Sequence, residues 1–560
     1  MPRAARAPAP LFALVCATAC GANGDAADGD SAGMSASASD TEGMTASASG
    51  ASATADGADT VADATVDGGS EATDSETDTD TDTDTDTTGG EGPETCPGSN
   101  LALLLRTGDL APGIAEGTIE GIGPSPQKHG SRLAFTVFLS TGQEVLYVWD
   151  DGAPAPVPIV VTGQVLPGTN IGPQAFNGLP VVAEDGSVAY QVVEFGTTYV
   201  FRYDDGGHTQ ILSEGSDDSP NGLPILALQP FSNFSRGAAY FDGTLAMWVQ
   251  AEDDAGANVY GVLSRVDDAP PTYHLGSGDV VGLPPGHAWE AQDARLHLST
   301  YGLFDQSLVI WARVGGQMYD RGLLAVPGGP LPELGPLSSG WRQVGLRPSN
   351  GAYGYYFFDG DEGVFVEDGT SFPIKGEPVP GRAGTMFSDL YAFALADGGG
   401  MVFTADAVDP GGTRTPGLFT RNAAGTFLTI ALEGDDAPDV AATLGGFHSV
   451  QVSRTGDIAV RAFLDGLPDP QAVGLFFSTS GTFVKGVAAL DVVDLGSDCA
   501  SYTVVDESNL HHGVPTDDTE IIPYAGGRQV AFDGVSMPIQ LELEDDAGAT
   551  FEALVIAYVP

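Results

Sequence analysis

The sequence has few basic residues. Against 76 Asp and Glu it carries only 21 Lys and Arg, which gives a formal net charge of −55. Such a chain repels phosphate backbones, so nucleic-acid binding is excluded as a function. It also repels anionic membrane surfaces unless divalent cations intervene. Any stable contact with a membrane therefore requires a separate anchor.

The N-terminus lacks an apolar run long enough to cross a bilayer, which takes about 20 residues. Arg3 and Arg6 precede a short apolar run, and small residues follow it, which predicts a signal peptide over residues 1–19. The run ends in "ATAC", which resembles the lipobox of bacterial lipoproteins. The resemblance implies that Cys20 is acylated and becomes the mature N-terminus. The alternative is an ordinary secretion signal cleaved near Ala19.

The residue after the lipobox cysteine bears on the expected location. An Asp there would resemble an inner-membrane retention signal, whereas this chain has Gly21. We therefore expect an outer-membrane lipoprotein, at the cell surface or on the periplasmic face. The lipid anchor would be its only contact with the membrane.

Large apolar side chains are nearly missing from residues 20–95, which are rich in Ala, Gly, Ser, Thr and Asp. A Thr-Asp alternation runs from Thr77 to Thr87. Such a segment cannot bury enough surface to offset its chain entropy, so we predict a disordered acidic tether. Calcium binding by the repeated carboxylates is the alternative, but a calcium loop needs a turn, usually with Gly at the bend.

Residues 96–560 show few helical patterns, and short apolar runs alternate there with Gly, Asp, Asn and Pro. The segment "RTGDLAPG" (106–113) has relatives that start at Val161, Leu212, Leu275, Ile374 and Leu432, about 55 residues apart. The wider gap between Leu275 and Ile374 predicts one degenerate copy, at Leu334. Each copy is followed by an apolar strand such as "LAF", "VAY" or "MVF", and then by a strand and a tight turn.

Units of this size with about four strands match propeller blades. We predict an all-β fold, a single seven- or eight-bladed β-propeller-like domain after the disordered linker, with the "LAF"-type strands buried inside each sheet. Two smaller propellers in tandem and an irregular pair of β-sandwiches are the alternatives. The pattern "GDxAPG…GxxAF…GLY/GLF" is similar to repeats of uncharacterised extracellular bacterial proteins, and the linker after the lipobox resembles that of myxobacterial surface lipoproteins.

The chain has four cysteines: Cys16, Cys20, Cys96 and Cys499. Cys16 lies in the signal peptide and Cys20 is the expected lipidation site. A circular fold brings its first and last units together, so we predict a Cys96–Cys499 disulfide that fastens the closure. Two unpaired thiols are the alternative.

Catalytic and metal-binding signatures are scarce. The sequence has no HExxH, Walker A or CxxC motif. The segment "HHGVPTDD" (511–518) could supply metal ligands, but neighbouring His side chains on a strand point to opposite faces. "DGDEG" (359–363) lacks the later Glu of a calcium loop. "WDDG" (149–152) and "YDDG" (203–206) recur at equivalent points and are interpreted as turns. We therefore predict no catalytic residues, no metal and no cofactor.

The first copy of the repeat can be interpreted either as a catalytic segment or as a structural turn. Arg106 and Asp109 invite a catalytic interpretation, but the other copies replace them while Gly and Pro persist. A turn keeps the residues that fix backbone angles, so the segment is interpreted as a connector between units.

We expect a monomeric binding or structural module with a protein or glycan partner on one propeller face. The alternatives are a secreted glycan lyase or hydrolase with a site at one propeller mouth, and a purely structural surface coat.

Overall fold

The architecture is taken from a computed structural model. It describes residues 95–123, 126–183, 185–204, 206–215, 225–228, 238–241, 244–252, 258–266, 269–276, 295–298, 307–314, 317–324, 341–346, 353–357, 364–367, 370–396, 400–453, 455–468, 472–479, 481–506 and 532–560. The signal peptide, Cys20 and nearly all of the expected tether lie outside these ranges.

The described residues form strands and turns, and their strands assemble into nine antiparallel sheets, here named A to I. Sheets A to C each consist of five strands, of which the first two pair with the same neighbour. Sheet A contains β2 (Ile119–Ile122), β3 (Gln127–His129), β4 (Arg132–Leu139), β5 (Glu144–Asp150) and β6 (Val157–Val161), and strand β1 (Leu101–Arg106) precedes it in the chain. Sheet B contains β7 (Ala175–Phe176), β8 (Val181–Val182), β9 (Val188–Glu194), β10 (Thr197–Asp204) and β11 (Gly207–Ser213). Sheet C contains β12 (Ile225–Leu228), β13 (Ala238–Phe241), β14 (Thr244–Glu252), β15 (Asn258–Val266) and β16 (Thr272–Gly276).

The next sheets are smaller. Sheet D contains β17 (Arg295–Leu298), β18 (Ser307–Val314) and β19 (Gln317–Leu324). Sheet E pairs β20 (Trp341–Leu346) with β21 (Tyr353–Phe357), and sheet F pairs β22 (Val364–Glu367) with β23 (Thr370–Pro373). The predicted degenerate copy at Leu334 lies outside the described residues.

Two four-stranded sheets follow, and both keep their strands in chain order. Sheet G contains β24 (Met386–Leu395), β25 (Met401–Val408), β26 (Arg414–Arg421) and β27 (Phe427–Leu432). Sheet H contains β28 (Thr443–Val452), β29 (Ile458–Asp465), β30 (Val473–Thr479) and β31 (Thr482–Ala488).

The closing sheet, sheet I, joins the two ends of the folded chain. Its order is β1-β35-β34-β33-β32, so the first described strand, β1 (Leu101–Arg106), is its edge strand. The remaining strands are β32 (Val492–Leu495), β33 (Ala500–Asp506), β34 (Ser536–Glu544) and β35 (Thr550–Tyr558). Leu101 stands opposite Ala557 in the antiparallel register.

Sheets A, B, G, H and the closing sheet each contribute to two apolar clusters, one on each face, because side chains alternate along a strand. On β4, Phe135 belongs to the apolar cluster shared with β1 and β35 of the closing sheet. Its neighbour Ala134 belongs to the cluster shared with Tyr190 and Phe201 of sheet B. Sheet A is therefore packed between the closing sheet on one face and sheet B on the other.

The same arrangement recurs along the chain. Further apolar clusters join sheet B to C, sheet G to H, and sheet H to the closing sheet. Among the described side chains, these face-to-face pairs of sheets, with the closing sheet packed on sheet A, define a propeller-like fold. The predicted all-β propeller-like class is confirmed, and so is the burial of the "LAF", "VAY" and "MVF" segments, which lie on β4, β9 and β25.

Candidate functional site

The repeat that opens each unit connects one sheet to the next. Residues 106–113 run from the end of β1 towards β2, and 161–168 run from β6 towards β7. Residues 374–381 lead from β23 to β24, and 432–439 lead from β27 to β28. We call these four segments the connectors. They confirm the interpretation of "RTGDLAPG" as a link between units. Of the copies at Leu212 and Leu275, only the first residues are described.

All four connectors share one backbone geometry. The N–H of the third residue donates to a carbonyl just before or at the start of the next sheet, at 2.7 to 2.9 Å. The N–H of the fourth residue donates back to the first residue's carbonyl, which closes a tight turn. The third and eighth residues have positive φ. These pairs are Gly108 and Gly113, Gly163 and Gly168, Gly376 and Gly381, and Gly434 and Asp439.

Burial differs sharply between neighbouring connector positions. The sixth residue is buried in every copy; these residues are Ala111, Leu166, Val379 and Ala437. The fifth residue is exposed and varies in chemistry; these residues are Leu110, Val165, Pro378 and Asp436. Leu110 is 76% exposed and Val165 is 62% exposed, although both are large apolar side chains. A constant backbone thus presents a variable exposed tip at the same end of several sheets.

Charged groups gather at the connector end of sheets G and H. Arg414, at the start of β26, contacts Asp389 and donates to Asp406 at 3.2 Å. Hydrogen bonding and charge attraction from Asp389 are the main reason that the pKa of Arg414 is raised. Burial, reinforced by the negative charges of Asp465 and Asp406, raises the pKa of Glu433 in the adjacent connector. Four carboxyl groups, those of Asp389, Asp406, Glu433 and Asp465, thus lie near a single guanidinium at this end.

Arg106 and Asp109 form an ion pair of 3.0 Å within the first connector. Arg106 also donates to the hydroxyl of Tyr502 on β33 at 2.7 Å, and its guanidinium lies over the ring of Phe551 on β35. Bonding to Asp109 is the main cause of the raised pKa of Arg106. These residues join the connector to the closing sheet.

The two cysteines meet at the same closure. The structure pairs Cys96 and Cys499 as a disulfide with Cα atoms 5.5 Å apart, although 403 positions separate them. Cys499 lies in the turn between β32 and β33 and has a positive φ of 50°.

The other candidate residues named in the sequence analysis either pack and form hydrogen bonds within the fold or lie outside the described residues. Trp149 is buried and donates to the carbonyl of Ala153 at 2.9 Å, so "WDDG" is a turn as expected. The Nδ1 of His208 lies 2.7 Å from the hydroxyl of Tyr190, and burial lowers the pKa of His208. Residues 359–363 and 511–518 fall outside the described ranges.

Among the described residues, no helix has the length and apolarity needed to cross a membrane. In the same part of the chain, no group of three or more His, Cys, Asp or Glu side chains is arranged to hold a metal ion.

Several polar clusters of the structure could not be predicted from the sequence. Asp389, Asp406 and Arg414 belong to three strands of one sheet, and only their pairing brings them together. Tyr502 reaches Arg106 because β33 and β1 belong to the same sheet. Lys128 is one of three lysines in the chain, and two of its partners, Asp533 and Ser536, come from the far end of the sequence.

Comparisons with known proteins give a partial family match. A family model described as "Family of unknown function (DUF7453)" matches residues 359–534. No curated protein matches the chain.

Solved structures of similar fold include several propellers. The β-propeller domain of the trilobed protease from Pyrococcus furiosus shares 9% identity, with 78% of this chain and 95% of that chain covered and a TM-score of 0.28. The WD40 domain of SCAP from fission yeast shares 8%, with 78% and 96% covered and a TM-score of 0.31. The Dos1 propeller shares 8%, with 78% and 95% covered and a TM-score of 0.32. We draw nothing about function from similarities at this level.

Proposed function

We propose that this protein is an outer-membrane lipoprotein, anchored through Cys20, whose propeller-like domain is a non-enzymatic binding module. The fold is consistent with a binding or structural module. The anchor is supported by the sequence alone, through the charged, apolar and small-residue regions before Cys20 and the Gly that follows it. The acidic segment after Cys20 would hold the domain away from the membrane.

The connectors are the observation that supports binding. Their backbone geometry and the burial of their sixth residue are constant, while their exposed fifth residue changes from Leu to Val, Pro and Asp. Loops carried by a rigid scaffold commonly provide recognition surfaces, because their tips can vary without disturbing the core. Exposed Leu110 and Val165 add apolar area that a partner would cover. The partner we propose is a protein or glycan of the cell envelope, bound at the connector end.

Binding at this end can be tested by site-specific photo-cross-linking in intact cells. A photoreactive residue at position 110 or 165 should give cross-linked adducts. Matched controls lie at Val157 and Leu428, which are exposed apolar residues near the other end of their strands. Adducts from the controls in equal yield, or none from positions 110 and 165, would contradict a connector-end partner. Polymer hydrolysis by the pure protein that a single substitution abolishes would contradict a non-enzymatic role.

The anchor has a separate test. Radiolabelled palmitate should enter the wild-type chain and Cys16→Ala, whereas Cys20→Ala should remain unlabelled. Equal labelling of wild type and Cys20→Ala would rule out acylation of Cys20. Density-gradient fractionation of the labelled cells then shows whether the protein reaches the outer membrane.

A further inference from the structure

Lys128 is a fully buried lysine at the junction of sheet A and the closing sheet. Its side chain, on β3, has 0% exposure. Its Nζ contacts the carboxylate of Asp533, donates to Ser536 Oγ at 3.0 Å, and lies 3.4 Å from Asp151 Oδ2. Lysines are almost never fully buried unless paired, so this amine is held in one place by polar groups from two sheets.

The two oxygens of the Asp533 carboxylate have different surroundings. Oδ1 accepts hydrogen bonds from the backbone N–H groups of Val535 and Ser536, both at 2.7 Å. Oδ2 faces the amine of Lys128. Paired N–H donors on one oxygen stabilise negative charge on it when a nucleophile adds to the adjacent carbon. The Asp533 carboxylate thus presents one oxygen to two N–H donors and the other oxygen to the amine of Lys128.

Asp151 supplies a second carboxyl beside the same amine. It lies in the turn after β5, and burial raises its pKa, partly offset by the positive charge of Lys128. Nearby Tyr558 also has a raised pKa, caused first by burial and then by the charges of Asp151 and Asp533. A carboxyl that holds a proton more readily than usual is suited to carry a proton between reacting groups.

We propose that Lys128 and Asp533 become joined by an intramolecular amide bond, with Asp151 as the proton carrier. Lys128 first transfers a proton to Asp533 Oδ2, which leaves a neutral amine and a carboxylic acid. Nζ then attacks Cγ of Asp533, and the negative charge moves to Oδ1, where the two N–H groups bind it. Asp151 takes a proton from Nζ and returns it to the departing hydroxyl. One water leaves, an N–C bond replaces a C–O bond, and no oxidant or other reactant is needed.

The bond would fasten the closure at a second point. Lys128 belongs to sheet A, and Asp533, 405 positions later, lies three residues before the start of β34 in the closing sheet. Unlike the Cys96–Cys499 disulfide, an amide survives reducing agents. The two links together would hold the closure under both oxidising and reducing conditions.

The chain contains a matched pair for comparison. Lys485 donates to Asp491 at 2.8 Å, but its side chain is 23% exposed. Asp491 accepts one backbone N–H on its other oxygen, from Ala488. Among the described side chains, Lys485 pairs with this single carboxylate, so it lacks a proton carrier. We expect this pair to remain an ordinary ion pair.

Peptide mapping of the reduced, full-length protein by mass spectrometry tests the bond. We expect one branched peptide that joins Lys128 to Asp533, with a mass lower than the sum of its parts by one water. Lys128→Arg and Asp533→Ala should each give separate linear peptides, whereas Lys485→Arg should leave the branched peptide in place. Separate linear peptides carrying intact Lys128 and Asp533 in the wild type would overturn the proposal.

The role of Asp151 has its own test. Asp151→Asn should fold, as judged by circular dichroism and by the unreactivity of Cys96 and Cys499 to alkylation, but should lack the branched peptide. A branched peptide at wild-type yield in this variant would overturn the role of Asp151 as proton carrier. If the variant fails to fold, the wild-type peptide map still decides whether the bond exists.

Discussion

Nη1 of Arg106 donates a 2.7 Å hydrogen bond to the hydroxyl of Tyr502, which lies 396 positions later in the chain. The bond connects the first connector to a strand of the closing sheet. Arg106, for which the sequence allowed a catalytic interpretation, thus contributes instead to the closure of the fold. A double-mutant cycle can measure that contribution directly.

Arg106→Met and Tyr502→Phe should each destabilise the protein by about 1–2 kcal/mol, because each leaves a partly buried polar group without its partner. The double variant should cost less than the sum of the single changes. Urea unfolding at neutral pH measures the coupling. Tyr502→Phe combined with Arg382→Ala, at an exposed site beyond the third connector, serves as control. Additive effects in the Arg106 and Tyr502 cycle would show that the bond contributes nothing.

Loss of the disulfide should also lower the stability of the fold where its first and last strands meet. Cys96→Ser with Cys499→Ser should lower the free energy of unfolding by several kcal/mol, up to about 5, because the bond closes a long loop in the unfolded chain. In the native wild type, neither thiol should react with an alkylating agent before reduction. Alkylation of both thiols in the unreduced native protein would show that the bond is absent.

The connector geometry predicts opposite effects of substitutions at its third and eighth positions. Gly434 has a φ of 85° with open space where a Cβ would lie, so Gly434→Ala should destabilise by about 1 kcal/mol through backbone strain alone. Asp439 has a φ of 53°, so Asp439→Gly should be neutral or stabilising. Asp436→Gly, in the same connector, should destabilise slightly because it adds entropy to the unfolded chain. Thermal unfolding distinguishes these outcomes.

Glu433 predicts a pH dependence of stability. Its pKa in the folded protein is raised above the ordinary value of 4.5, mainly by burial. Between these two pKa values the folded state binds more protons than the unfolded state, so stability falls as the pH rises through this range. Glu433→Gln should therefore stabilise the protein at neutral pH but not below pH 4.5. Urea unfolding across the acidic range should show the two curves converging at low pH.

The parts of the fold that could be predicted from sequence are those fixed by local backbone requirements. Gly108 and Pro112 recur because a tight turn with positive φ restricts the residue type, and that restriction repeats in the four described connectors. The buried strands β4 and β9 were predicted because a short apolar run after a turn is visible within a few residues. The placement of Cys96 and Cys499 at the closure followed from their positions near the ends of a circular fold.

Contacts between residues far apart in the sequence could not be predicted, because no local pattern indicates them. Nothing around Lys128 indicates that Asp533 or Ser536 will meet it, because one residue comes from sheet A and the others from the closing sheet. The β32–β33 hairpin of the closing sheet was also not predicted, because nothing in the local composition distinguishes its strands. Such features depend on how whole sheets pack.

The position of the disulfide also decides how the domain bears mechanical load. A pull on the chain before Thr95 reaches Cys96 before it reaches β1, and the disulfide passes the force directly to Cys499. The hydrogen bonds between β1 and β35 then lie outside the main path of tension. Reduction would reroute the same force through β1, whose edge position leaves it a partner on one side only. The oxidised protein should therefore unfold at a higher pulling force, applied to the chain before Thr95, than the reduced protein.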